Sequence, residues 1–130
     1  MTHEITVPVS PGELLDKITI LRIKSQRMTD PVKLENVRIE LTALEDVWTD
    51  SHFDHAKVAA DIDALQSVNE RLWTIEDDIR EQERRKDFGP EFVRLARAVY
   101  VENDARAAIK RRINVNLGSS IVEEKSYSPY

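Results

Sequence analysis

"DHAKVAADIDALQSVNERLWTIEDDIREQERRK" (residues 54–86) decides the fold. Val58, Leu65, Leu72 and Ile79 return every seven residues, and Val68 and Ile75 fill the intermediate positions. A heptad sustained this long predicts one long helix, from about Asp54 to Lys86, packed at a shallow angle on its neighbours. "KDFGPEF" (86–92) then breaks the chain. Gly89 reads as a helix C-cap and Pro90 as the first residue of the next helix, which should stop near Leu117 with Gly118 as its terminator. Two long helices joined by so tight a turn must lie antiparallel.

Upstream, "SPGE" (10–13) announces another helix. Ser10 is a natural N-cap, Pro11 suits the first helical position, and Glu13 completes a capping box. This helix runs to about Met28. Leu14, Ile18, Leu21 and Met28 lie on one side and Ile20 and Ile23 on another. An element apolar on two sides is either central in a bundle or shared with a second subunit. Thr29 or Asp30 caps a further amphipathic helix, with Pro31 just inside and Leu34, Val37, Leu41, Leu44 and Trp48 at spacings of three and four. "TDSHFDH" (49–55) reads as a loop. Residues 4–9 alternate weakly and suggest a short extended N-terminal arm, in which Pro8 opposes a central strand. The fold expected is an all-α antiparallel bundle of four main helices in one domain, residues 1–130, with a docked C-terminal tail.

A chain of 130 residues buries roughly two-thirds of its unfolded surface, so one core suffices. Cysteine is absent, which removes disulfides and thiolate metal sites and suits a reducing compartment. "MTHEITVPVS" has neither the basic start nor the apolar run of a secretory signal, and no apolar stretch is long enough for a membrane span. A cytoplasmic protein is the expectation. The net charge of −5 hides an asymmetry: residues 35–91 hold 16 acids and 7 bases, residues 92–117 hold 6 bases and 2 acids. The negative field and the lack of interleaved aromatics argue against a nucleic-acid partner.

On the last helix, Phe92, Leu95, Ala96, Val99, Ile113 and Leu117 form one stripe, yet Asn103, Arg106 and Lys110 fall within it. On the third helix, Asn69, Glu76 and Glu83 recur at sevens between the apolar positions. An antiparallel hairpin turning near residue 88 would set Glu76 against Asn103 and Arg106, and Asn69 against Lys110. Arginine suits such a place, because its planar fork engages a carboxylate through two bonds. The leading reading is a satisfied interhelical network that fixes register. The rival is a pocket in which Arg106 and Lys110 hold an anionic small molecule, aided by Lys17 or Arg22 of the first helix, with Glu76 as acid or base. A third reading has these side chains reaching solvent.

His52, Asp54 and His55 have a spacing that can hold a metal, but a loop setting and no third clear ligand make an ordinary polar loop the better reading. Neither a metal nor a cofactor is expected. Trp48 and Trp73 read as core or interface anchors. No nucleophile–base motif and no phosphate-cradling glycine loop occurs. The tail "GSSIVEEKSYSPY" (118–130) carries Ile121, Val122, Tyr127 and Tyr130, residues worth burying on this bundle or on a second copy.

"PGELLDKITILRIKS", "VNERLWTIEDDIR" and "NDARAAIKRRINVNLGSSIVEEKSY" together resemble a family of small bacterial proteins of unknown function. The resemblance spans nearly the whole chain, and the last motif is its most specific part. It implies a bacterial, free-standing protein and brings no activity, substrate or catalytic residue. The function expected is a non-catalytic interaction or accessory protein that self-associates, a dimer first, with an anion-binding enzyme or sensor as the alternative.

Overall fold

A computed structural model of the chain describes residues 3–130. It forms an all-α bundle of four helices: α1 (Pro11–Arg27), α2 (Pro31–Asp50), α3 (Ala59–Arg84) and α4 (Pro90–Asn116). No strand occurs among the described residues, and residues 3–9 form an exposed arm without regular structure. No helix among the described residues is long and apolar enough to cross a membrane.

The helix ends follow local chemistry, with three differences from expectation. Ser10 Oγ accepts the Glu13 N–H at 3.2 Å, but the Glu13 carboxylate does not complete the capping box. It turns to Lys110 instead, at 2.6 Å. Asp30, not Thr29, caps α2 by accepting from the N–H groups of Val32 and Lys33. Asp54 caps a single 3-10 turn, His55–Val58, so α3 proper begins at Ala59. At its other end the left-handed residue is Lys86, with φ 56°. Gly89 has φ −76° and serves as the N-cap residue of α4. A lysine in that conformation costs about 1 kcal/mol, offset by the bonds from Lys86 N–H to Glu83 and from Asp87 N–H to Gln82 that close the helix end. Gly118, with φ 66°, closes α4 as expected. The Ser119 N–H bonds to the Asn114 carbonyl at 2.9 Å and the Gly118 N–H to Val115 at 3.1 Å, the paired arrangement that a left-handed glycine permits.

The two-sided apolar pattern of α1 is resolved within this chain, because α1 is central. It packs against α3 and α4 on one flank and α2 on the other, while α2 lies close to no other helix. Leu15, Ile18 and Ile23 are almost fully buried, and they share the interior with Val58, Leu65, Val68, Leu95 and Ile113. The α2 stripe that carries Leu41, Leu44 and Trp48 packs against this core. The opposite face of α2 is not uniformly polar, because Val32, Ile39 and Val47 stand exposed on it.

α3 and α4 form the antiparallel hairpin, but its register differs from that of a turn centred near residue 88. Arg71 faces Glu102 and Asp61 faces Arg112, about one helical turn away from the register that a turn near residue 88 would set. The reason is local: α3 ends early, at Arg84, and Lys86 reverses the chain before Gly89 is reached.

A cationic cleft between helix α4 and the tail

Backbone contact between α1 and α4 builds the site. A Cβ on Gly12 would lie 2.5 Å from the Lys110 carbonyl oxygen and 2.9 Å from Asn114 Oδ1. Only glycine allows the start of α1 to approach so closely. The Gly12 N–H donates to Asn114 Oδ1 at 2.7 Å, one of the amides that a helix start leaves without an internal partner. That bond fixes which way the Asn114 amide points. Its Nδ2 is buried and has no hydrogen-bond partner among the described residues.

One turn before Asn114, Lys110 enters the same interface with 12% of its side chain exposed. Its ammonium donates to Glu13 at 2.6 Å, lies 3.9 Å from Asp16 and 3.4 Å from Glu123 of the tail. Burial works against ionisation of both Glu13 and Lys110, but their mutual hydrogen bond and attraction prevail. The Glu13 carboxyl is therefore held below its ordinary pKa and the Lys110 ammonium above its own.

Arg106, one turn earlier still, differs. Its Nε is 3.7 Å from Asp16 Oδ1, too long for a hydrogen bond, and a third of its side chain is exposed. It makes no hydrogen bond to any described residue, and neither does Asn103. Both line a cleft of about 670 Å³ between α4 and the tail, together with Lys110, Arg111, Asn114, Glu123, Glu124 and Lys125. Both also line a smaller cleft of about 420 Å³ floored by Ile20, Leu72 and Trp73.

The network expected from the sequence exists with different members. Glu76 shares the smaller cleft with Arg106 but forms its ion pair with Arg80, on its own helix. Asn69 does not meet Lys110; its Nδ2 donates to Asp16 Oδ1 and Thr19 Oγ1, each at 3.0 Å. Lys17 is half-exposed beside Glu13, and Arg22 reaches Glu45 at 3.1 Å, joining α1 to α2. Neither lines the two clefts. The carboxylates that matter most, Glu13 and Asp16, lie outside the site residues that the sequence reading marks. Gly12, Asp16, Thr19 and Ile23 recur at spacings of four, three and four, and that stripe is the signal that marks Asp16 as inward-facing.

The tail docks by charge rather than by its apolar residues. Arg111 holds Glu124 at 2.8 Å. Asp104 receives both the Lys125 ammonium and, at 2.6 Å, the Tyr130 hydroxyl. Ile121, Tyr127 and Tyr130 remain exposed, so the apolar burial expected of them does not occur within this chain. In the 49–55 loop, the His55 ring stacks on Trp48 with centroids 4.2 Å apart, and His55 Nε2 is 3.0 Å from Ser51 Oγ.

No curated protein and no solved structure matches the chain. A model of a family of unknown function (DUF6165) matches residues 5–130, and the chain belongs to that family.

Proposed function

We propose that this member of a family of unknown function is a non-catalytic binding protein of the bacterial cytoplasm, and that it takes a small anionic ligand in the cleft between α4 and the tail. One observation carries the reading: Arg106 presents a guanidinium that no carboxylate among the described residues engages through hydrogen bonds. A permanently charged fork with unused donors is the group that recognises carboxylate or phosphate oxygens through two parallel bonds. The cleft volume of about 670 Å³ falls in the range of small-molecule sites. Charge-assisted hydrogen bonds are worth about 1.5–3 kcal/mol, so Arg106→Met should weaken binding of inorganic phosphate roughly tenfold or more. Calorimetric titration of the two proteins at low salt measures this. Equal affinity, or no phosphate binding by the native protein, would remove the reading.

A second reading, a homodimer, is favoured by the outward face of α2. Val32 and Ile39, and likewise Asn36 and Ala43, are seven residues apart on that exposed stripe, the repeat of a two-helix seam. The occupant such a repeat fits is the same helix of a second copy. A double substitution of Val32 and Ile39 to Glu should convert a dimer to a monomer by light scattering, and a native protein already monomeric at working concentration would end this reading.

A further inference from the structure

The geometry points to the corner between Ser10, Lys110 and Asn114 as a second anion subsite, occupied at rest by Glu123 of the chain's own tail and filled on binding by one end of a dianion. This inference rests on the cleft being a binding site, and adds the ligand's class and the group it displaces.

Glu123 is seated there loosely. Its carboxylate accepts from Ser10 Oγ at 3.5 Å and lies 3.4 Å from Lys110 Nζ, where Glu13 approaches the same ammonium to 2.6 Å. Half of the Glu123 side chain is exposed. An ammonium has three donors, of which Glu13 uses one closely. Asn114 supplies the independent observation. Its side chain lines the cleft, is about 1% exposed, and leaves Nδ2 without a partner. Glu123 does not reach that donor. A smaller, untethered anion entering the corner gains the hydrogen bond that the tail leaves unmade, and this difference lets it win against an intramolecular rival.

Arg106 and Lys110 are four residues apart on one helix face. Their anchor points are therefore about 6 Å apart along the axis. A molecule with two anionic ends at that separation engages Arg106 with one and the corner with the other. A five-carbon dicarboxylate has the right length, and glutarate is the probe.

Glutarate is titrated into the full-length native protein, Glu123→Gln and Asn114→Asp, with acetate as the single-charge control. Asn114→Asp keeps the oxygen that Gly12 needs and replaces the free donor by an acceptor. Removing the resident raises apparent affinity by the fraction of time it blocked the site, so Glu123→Gln should bind glutarate about threefold to tenfold tighter. Asn114→Asp should lose tenfold or more, because it sets a negative charge against the ligand. Acetate should bind more weakly than glutarate in every variant. Hydrogen exchange is the second measurement: glutarate should raise exchange at residues 121–125 of the native protein. Unchanged affinity in Glu123→Gln, or no change in tail exchange on saturation, overturns the inference. If phosphate still binds through Arg106 while glutarate does not, this inference fails alone; if neither probe binds, the cleft reading fails with it.

Discussion

The two halves of α4 solve the same problem, carrying charge along a helix, in opposite ways. In the first half, Arg94 pairs with Glu91 three residues away, and the facing tip of α3 does likewise with Arg80–Glu76 and Arg85–Glu81. Between Pro90 and Tyr100 only Leu95 is buried. In the second half, Ile109, Ile113 and Asn114 are buried, and the cations reach across the fold, Lys110 to Glu13 and Arg112 to Asp61. Local pairs stabilise a helix by a few tenths of a kcal/mol wherever it lies. Long-range pairs exist only in the assembled structure, and they shape the cleft. Arg106 stands within this second half without the close pairing of its neighbours.

Substitutions can break that contrast, beginning where packing is tightest. Gly12→Ala must push α1 from α4, since its Cβ meets backbone at Lys110. A loss of about 3 kcal/mol is expected in denaturant unfolding, and a loss under about 0.5 kcal/mol would show that the helices separate freely. Lys110→Met strands Glu13 and Asp16 beside an apolar side chain, and should cost about 2 kcal/mol, discounted from a fully buried pair because Glu13 is partly solvated.

The same lysine sets a pH signature. The folded-state pKa of Glu13 is lowered, so its contribution is complete above the ordinary value of 4.5 and is lost as pH falls through the lowered one. That of Lys110 is raised, so its contribution is complete below 10.5 and disappears as pH rises through the higher value. Stability of Lys110→Met measured across pH should therefore fall less steeply than that of the native protein on both limbs; parallel curves would contradict the pairing. Arg80→Ala, at the hairpin tip, is the smallest effect, within about 0.5 kcal/mol, because its pair is exposed and local.

Arg106→Met sharpens the contrast differently. It should leave stability almost unchanged while weakening phosphate binding, the reverse of Lys110→Met in its balance of fold and site. A loss above about 2 kcal/mol in urea would return Arg106 to the class of buried, satisfied cations.

Much of this was legible beforehand, for a physical reason. Ser10, Asp30, Pro11, Pro31, Pro90 and Gly118 act within a few residues of themselves, and so the sequence by itself determined where α1, α2 and α4 begin and where α4 ends. The heptads of α3 likewise determined that it would pack lengthwise, and the stripe of α4 determined that Asn103, Arg106 and Lys110 would face inward. The tertiary structure alone decided what those inward groups would meet. Lys86 reversed the chain early and set the hairpin register, which sent Glu76 to Arg80. The close approach at Gly12 brought α1 against α4, making Glu13 and Asp16 the neighbours of Lys110. A side chain's periodicity is fixed by the few residues around it, whereas its partner across the interface depends on every turn and contact that sets one helix against another.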